Sequence, residues 1–199
     1  MIIYLDTETT GLYPGNICQL SYIMQDGDSV TAKNMFFAVD FVEFGAYMVH
    51  GFSVEKLKIL SNGKRFRDRV DEIISDFRNA DLVVSHNVSF DFMFLSKEYE
   101  TCGKMFLPKE SFCSMKNMTS VCKLKRNSGM GYKYPKLSEL CAFFNVTDAE
   151  ISKKSEELFG SLSNYHDARF DTTAVYLAMN TAVKTCQNLE KLKDYYVKN

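Results

Sequence analysis

The stretch from Ile2 to Gly11, with the sequence IIYLDTETTG, decides how this chain is interpreted. Its first four residues are apolar and favour β structure, so they predict a buried strand over residues 2–6. Side chains alternate between the two faces of a strand, so Asp6 and Glu8 point the same way. Two adjacent carboxylates at the end of an apolar strand repel each other, and a divalent cation relieves that repulsion. The pair indicates either a metal site or, more simply, a polar strand end that leads into a turn.

Length and composition favour one globular domain. The chain has 199 residues, of which 46% are hydrophobic and 14% aromatic, enough for a sizeable core. It carries 24 basic and 25 acidic residues, and the net charge of −1 argues against a surface that clamps long nucleic acid by bulk charge. We expect a single domain over residues 1–199, with its motifs within about residues 1–183.

The cysteines and the start of the chain exclude two other classes. Six cysteines and three histidines offer no zinc-ligand spacing, because no two cysteines form a C-x-x-C pair. No basic segment followed by an apolar one opens the chain, and no apolar run approaches the length that spans a membrane. These features predict a reduced cytoplasmic protein without membrane association, whose cysteines pack as small apolar residues.

Periodicity predicts an antiparallel three-stranded meander followed mainly by helices, which is a mixed α/β domain. The second and third strands are expected over residues 17–24 and 30–39, with a hairpin turn between them. A short strand over residues 81–85 is expected to reach the first strand by a crossover connection. Helices are expected over residues 54–60 (capped by Ser53), 70–77, 90–99, 137–144, 167–183 and 189–197.

The second candidate segment, residues 86–91, lies where the short strand ends and a helix begins. This is a common place for a ligand site in α/β proteins. The crossover brings residues near position 87 close to Asp6 and Glu8. Asp91 falls in the first turn of the helix, where the helix dipole favours a negative charge. It is therefore either a metal ligand or a residue that only stabilises the helix start.

The third candidate segment, residues 165–171, contains a histidine and an acid at the start of the long helix. Asp171 is expected one turn into that helix, with Asp167 as its cap and Asn164 as the competing cap. His166 then lies just before the helix, free to lean over the opening that Asp171 faces. A lone histidine beside a helix start is usually structural, so its weight depends on the other motifs.

Together the motifs D-x-E, N-x-x-F-D and H-x-x-x-x-D, in this order, resemble those of the DEDDh family of 3′-5′ exonucleases, which contains the proofreading epsilon subunits of DNA polymerases. The matching residues are Asp6, Glu8, Asp91, His166 and Asp171. Residues 9–12, 50–51 and 136–140 fall where the family carries secondary signals. The resemblance covers about residues 1–183 and implies a ribonuclease H-like α/β fold, whose mixed five-stranded sheet is flanked by helices.

The resemblance implies phosphodiester hydrolysis with two Mg²⁺ or Mn²⁺ ions per site, for which carboxylate oxygens are suitable ligands. It implies that Asp6 bridges both ions, that Glu8 and Asp171 complete the shell of one, and that Asp91 acts on the other through waters. His166 takes the role of general base toward the attacking water, a task that suits an unperturbed histidine at neutral pH.

The sequence indicates the substrate-binding residues less clearly than the metal ligands. The backbone amides of Thr9 and Thr10 are expected to hold the terminal nucleotide, and the resemblance implies that Leu12 wedges against the terminal bases. Loop packing is an equal alternative for Leu12. Phe90 and Tyr165 flank the metal residues and could stack on a base, although core packing is the stronger interpretation of Phe90. The candidate substrate contacts are Thr9, Thr10, Leu12, Asn87, Phe90 and Tyr165.

The segment over residues 108–136 is expected to be less regular than the rest and basic in patches. Its basic residues either track a phosphate backbone or cover a solvated loop, and the sequence does not choose between them. They are Lys123, Lys125, Arg126, Lys133 and Lys136.

The sequence favours a metal-dependent 3′-5′ exonuclease that releases 5′-mononucleotides from single-stranded DNA. RNA 3′ ends are an alternative substrate, since no identifiable residue reads the 2′-hydroxyl group. A third interpretation is an idle copy that binds a polymerase or nucleic acid. All four acids and the histidine are present, which disfavours it. A polymerase partner stays open.

Overall fold

The computed structural model describes residues 1–186 and 189–197. Its strands are β1 (Ile2–Thr9), β2 (Ile17–Asp26), β3 (Ser29–Phe36), β4 (Leu82–Ser85) and β5 (Ser111–Cys113). They form one sheet in the order β3-β2-β1-β4-β5. The first three strands make the predicted antiparallel meander, β4 pairs with β1 in parallel, and β5 pairs with β4 in parallel. The expected ribonuclease H-like α/β architecture is confirmed.

Helices flank both faces of this sheet. The predicted caps are observed, since the Ser53 side chain accepts from the amide of Lys56 and the Asp167 side chain accepts from that of Arg169. The helices in the described residues are α1 (Phe44–His50), α2 (Val54–Leu60), α3 (Val70–Arg78), α4 (Val88–Thr101), α5 (Ser114–Asn117), α6 (Thr119–Cys122), α7 (Leu137–Phe143), α8 (Asp148–Phe159), α9 (Ala168–Thr185) and α10 (Glu190–Val197).

Three local features depart from the sequence expectations. The third strand ends at Phe36 rather than at residue 39, because the amide of Ala38 donates to the carbonyl of Lys64 instead of continuing the ladder. The helices α1 and α8 were not expected, although Thr147 and Glu150 form a capping box at the start of α8. The segment over residues 108–136, expected to be less regular, contains the edge strand β5 and the short helices α5 and α6, which were not predicted.

The alternation of β1 divides the core into two apolar layers and positions the acids. The even-numbered apolar residues of β1 pack with residues of α7 and α9, and the odd-numbered ones pack with residues of α3 and α4. Asp6 and Glu8 continue the first set, while Thr7 continues the second. Because β1 and β4 run parallel, their carboxyl ends meet at the same edge of the sheet.

Two sequence expectations concern the whole chain. All six cysteines are free, and four of them are buried, which fits their use as small apolar residues. Across residues 1–186 and 189–197, no helix combines the length and the apolar character needed to cross a bilayer.

Candidate active site

Three carboxylates converge at the carboxyl end of β1. Asp6 and Glu8 project from one face of the strand, and Asp171 comes from the first turn of α9. One oxygen from each group can be chosen so that all three lie within 4.8 Å of one another. This is the spacing of oxygen ligands around a divalent cation. The structure therefore brings together three of the four predicted acids.

Gln19 fixes the start of α9 against the sheet. Its side chain is fully buried in β2, where its carbonyl oxygen accepts from the amide of Ala168 at 3.1 Å. Its amide group donates to the Asp167 carboxylate at 2.9 Å. These bonds hold Asp171, one turn further on, over the end of β1. Gln19 was not among the predicted site residues, because a single glutamine in a strand forms no motif.

Burial raises the pKa of all three carboxyl groups, and nearby negative charges add to that rise. Burial, and next the charge of Asp171, raise the pKa of Asp6 well above its usual range. The same two causes raise the pKa of Glu8 from 4.5 to about 9, and burial raises that of Asp171 to about 7. Three negative charges are thus costly here without a counter-charge. The residues present fit a divalent metal ion, which supplies that charge to oxygen ligands.

Asp91 lies at the start of α4 and is held by two hydroxyl groups. The hydroxyl of Thr7 donates to one carboxylate oxygen at 2.8 Å, and that of Ser85 donates to the other. Burial raises the pKa of Asp91 to about 6, and these two hydrogen bonds oppose that rise. Asp91 is therefore fixed beside the three-carboxylate group rather than within it. The alternation of side chains along β1 places Thr7 on the face covered by α4, so its contact with Asp91 could be expected from the sequence. No feature of the sequence indicates Ser85.

His166 lies at the mouth of the cluster, directly before α9. Its backbone φ of +63° is in the left-handed region, which few residues other than glycine adopt. Its amide donates to the Asp171 carboxylate at 3.1 Å. Its exposed side chain lines an open cavity of about 690 Å³ together with Asp6 and Asp171. His166 and Asp171 thus face one opening, as expected from the sequence, and Asp6 lines it with them.

Tyr165 borders the same cavity from the loop before α9. Its hydroxyl donates to the Asp148 carboxylate at 2.9 Å, and its ring packs on Phe170 with centroids 4.6 Å apart. The residue keeps 38% of its surface exposed, so part of the ring remains accessible at the cavity.

A second cleft, of about 400 Å³, is lined by Glu8 and has mainly apolar walls. Leu12 lines it and is 78% exposed, so its side chain is not packed within its own loop. Phe90 is half-buried and rests on Phe94, with centroids 4.6 Å apart, which fits core packing, but it also borders the cleft. The remaining walls come from Thr7, Thr9, Gly11, Glu43, Gly45, Ala46, Val49 and His50.

Hydrogen bonds fix the backbone around this cleft. The amide of Thr10 donates to the carbonyl of Asn16 at 3.1 Å, so it is already engaged within the loop and not directed at a substrate. The carbonyl of Thr9 accepts from His50 Nε2 at 3.2 Å. Asn87 adopts a φ of +80° before α4, and its side chain makes no capping bond. The expected contact from the Thr10 amide thus has a competing partner within the loop.

The sheet order, the three converging acids and the adjacent histidine define a nuclease-type hydrolase. The comparisons make the class specific, because the exonuclease family model matches residues 3–152. The chain is 30% identical over 191 residues to the DNA polymerase III epsilon subunits of Salmonella typhimurium strain LT2 and Escherichia coli K12, covering 89% of this chain and 70% of each relative. For the Buchnera aphidicola subunit (subsp. Acyrthosiphon pisum), the identity is 29% over 154 residues, with coverages of 72% and 61%.

The chain therefore belongs to the exonuclease family. Its five motif residues place it in the DEDDh group, and it is a 3′-5′ exonuclease, a phosphodiester hydrolase.

Proposed function

We propose that this chain removes nucleotides one at a time from the 3′ ends of single-stranded DNA and releases 5′-mononucleotides. The observation that carries the proposal is the group of three carboxylates, two of which, Asp6 and Asp171, line one open cavity with the exposed His166. The similar proteins are subunits of a DNA polymerase, which supports DNA as the substrate and a polymerase as a partner. The cytoplasmic location expected from the sequence stays a prediction.

In this proposal Asp6, Glu8 and Asp171 hold Mg²⁺ or Mn²⁺ ions, two per site, and Asp91 contributes through water. When bound, the ions activate water, neutralise charge on the phosphate and stabilise the leaving 3′ oxygen. The raised pKa values of the carboxyl groups mean that protons compete with metal ions for these oxygens. Metal binding is therefore expected to release protons and to strengthen as the pH rises.

His166 acts as the general base in this proposal. Its imidazole is at the solvent side of the cavity, so a proton taken from the attacking water can pass on to bulk solvent. The hydrogen bond from its amide to Asp171 ties its position to a residue of the carboxylate group. That bond supports a role beyond an isolated surface histidine.

The second cleft suits the terminal nucleoside. Leu12, Val49 and Phe90 give it apolar walls, which can pack on any base without reading its identity. Glu8 lines this cleft and also belongs to the carboxylate group, so a nucleoside lodged there keeps its 5′ phosphate near the carboxylates. Thr9 stays a candidate contact, while a bond from the Thr10 amide would require the loss of its bond to Asn16.

The test is digestion of matched single-stranded DNA and RNA oligonucleotides with Mg²⁺, Mn²⁺ or a chelator. Asp6→Ala is expected to abolish metal-dependent release with an unchanged circular dichroism spectrum, and His166→Gln is expected to lower kcat at least about 100-fold. Asp28→Ala, at an exposed hairpin turn, is the matched control. Full activity of Asp6→Ala contradicts the proposal.

Two other outcomes would redirect the assignment. Faster digestion of RNA than of DNA would replace the substrate. An absence of Mn²⁺ binding in calorimetry, together with intact oligonucleotides, would point to a non-catalytic binding module.

A further inference from the structure

A concentrated positive charge lies in the part of the chain that the motifs do not explain. Residues 111–138 contain no acidic residue, although the whole chain has a net charge of −1. Most of the basic residues of this stretch lie within residues 123–136, which we name the basic arm. The basic residues of the stretch are Lys116, Lys123, Lys125, Arg126, Lys133 and Lys136.

The basic arm is a built hairpin rather than an irregular loop. The amide of Lys133 donates to the carbonyl of Leu124 at 2.8 Å, and Lys125 and Tyr132 form an antiparallel bridge. The Arg126 side chain donates through Nε to the carbonyl of Tyr132 at 2.9 Å. These bonds fix the two sides of the arm to each other, so its side chains are presented in a defined arrangement.

The base of the arm is anchored at the active-site cavity. Pro135 is buried, and its carbonyl accepts a hydrogen bond from His86 Nε2 at 3.1 Å. Burial lowers the pKa of His86 to about 4, so the ring is neutral at physiological pH and carries its proton on Nε2. Lys136, the next residue, lines the cavity together with Asp6 and Asp171. The arm thus continues directly from the mouth of the site.

The charges of the arm face solvent. Lys123, Lys125 and Arg126 are exposed, and within the described residues none of them forms an ion pair. Lys133, by contrast, pairs with Glu139. Tyr132 and Tyr134 are also exposed, by 42% and 55%. Cations that follow a phosphate backbone and aromatic rings that stack on bases are the two elements by which proteins hold single-stranded nucleic acid.

We propose that the basic arm binds the nucleic-acid strand on the 5′ side of the scissile bond. Lys123, Lys125 and Arg126 hold its phosphates, and Tyr132 and Tyr134 stack on its bases. The inference rests on the proposed function, since the strand must enter the cavity where the arm begins. That continuity favours nucleic acid over an acidic protein surface. It also explains how a nearly neutral chain can hold a polyanion, because the cations are concentrated in one place.

The test removes three charges from the arm and, in a matched control, three exposed charges elsewhere. Each full-length protein is assayed with Mn²⁺ on a long oligo(dT) and on the p-nitrophenyl ester of thymidine 5′-monophosphate, which has no upstream strand. The arm variant is Lys123→Gln/Lys125→Gln/Arg126→Gln, and the control is Lys58→Gln/Lys64→Gln/Lys153→Gln.

For the arm variant, the ratio of kcat/KM on oligo(dT) to that on the ester is expected to fall at least about tenfold. The slope of log KM against the logarithm of the salt concentration is expected to decrease by about 2, since each lost phosphate contact lowers that slope by about 0.7. The control is expected to keep both values within about twofold of the parent chain. A charge-retaining variant, Lys123→Arg/Lys125→Arg/Arg126→Lys, is expected to behave like the parent chain.

If the ratio of kcat/KM on the two substrates is the same for the arm variant and the control, the inference is overturned. The arm would then be expected to bind a different polyanion, such as an acidic protein. If the parent chain turns over neither substrate, the proposed function fails separately. In that case, fluorescence anisotropy with labelled oligo(dT) in Ca²⁺ decides the role of the arm. Weaker binding by the arm variant than by the control supports the inference, and equal binding overturns it.

Discussion

Replacing Glu8 with glutamine is expected to stabilise the metal-free protein. Burial, and next the charge of Asp171, raise the pKa of Glu8 from 4.5 to about 9. A carboxyl group whose pKa is higher in the folded state has no effect below the unfolded pKa, and it destabilises the fold increasingly as the pH rises to the folded pKa. At pH 7 the protein therefore bears a cost that a neutral side chain of the same shape does not.

The magnitude follows from the distance between pH 7 and the unfolded pKa of 4.5. Those 2.5 pH units correspond to about 3 kcal/mol, at about 1.36 kcal/mol per unit. Because neighbouring carboxyl groups share protons, the single substitution is expected to recover about 1–3 kcal/mol. For a chain of this size the gain raises Tm by about 3–10 °C.

Differential scanning calorimetry at pH 7, with EDTA or with Mn²⁺, measures this effect. Glu8→Gln is expected to raise Tm in EDTA and to reduce the increase in Tm that Mn²⁺ produces in the parent chain. Glu156→Gln, at an exposed position of α8, is the control and is expected to change neither value. A lower Tm of Glu8→Gln in EDTA would refute the reasoning, because it would mean that the carboxylate stabilises the fold.

Three further substitutions test the surroundings of the site. Thr7→Val removes a hydrogen bond that favours ionised Asp91, so the pKa of Asp91 rises above about 6 and the acid limb of the pH–rate profile moves to higher pH; an unmoved limb contradicts this. Gln19→Leu leaves the start of α9 with an unpaired amide and is expected to cost about 1–3 kcal/mol in urea unfolding; unchanged stability would show that other contacts hold the helix. Burial lowers the pKa of His86 from 6.5 to about 4. Between these two values the unfolded chain binds a proton that the folded chain does not, so the free energy of unfolding decreases as the pH is lowered. The parent chain is expected to lose up to about 2 kcal/mol more than His86→Gln between pH 7 and pH 5, and parallel urea curves would argue against it.

Local patterning predicts the meander and the orientation of its acids. The period of a strand is strict, so Asp6 and Glu8 share a face whatever packs against them. The helix α1 was not predicted because its seven residues are too few for a clear period, and its larger apolar residues, such as Phe44 and Met48, are exposed rather than buried in the core. The strand β5 has only three residues, and its pairing with β4 is a tertiary contact.

The active site, too, could be predicted only in part from the sequence. The acids and the histidine are visible as motifs, but the groups that hold them are not. Thr7 reaches Asp91 across 84 positions, and Gln19 reaches Ala168 across 149 positions. Such contacts exist only once the chain has folded. For the basic arm, the sequence shows the charges but not the hairpin that orders them.

The central claim is that Asp6, Glu8 and Asp171 form a metal site that shortens DNA from its 3′ end. The most direct measurement is a time course with 5′-labelled single-stranded DNA in Mg²⁺, read by electrophoresis and by mass spectrometry of the released products. The account predicts a ladder that shortens from the 3′ end, with 5′-mononucleotides as products, and no cleavage in EDTA or by Asp171→Asn. The same ladder from Asp171→Asn, or products that carry a 3′ phosphate, would contradict it.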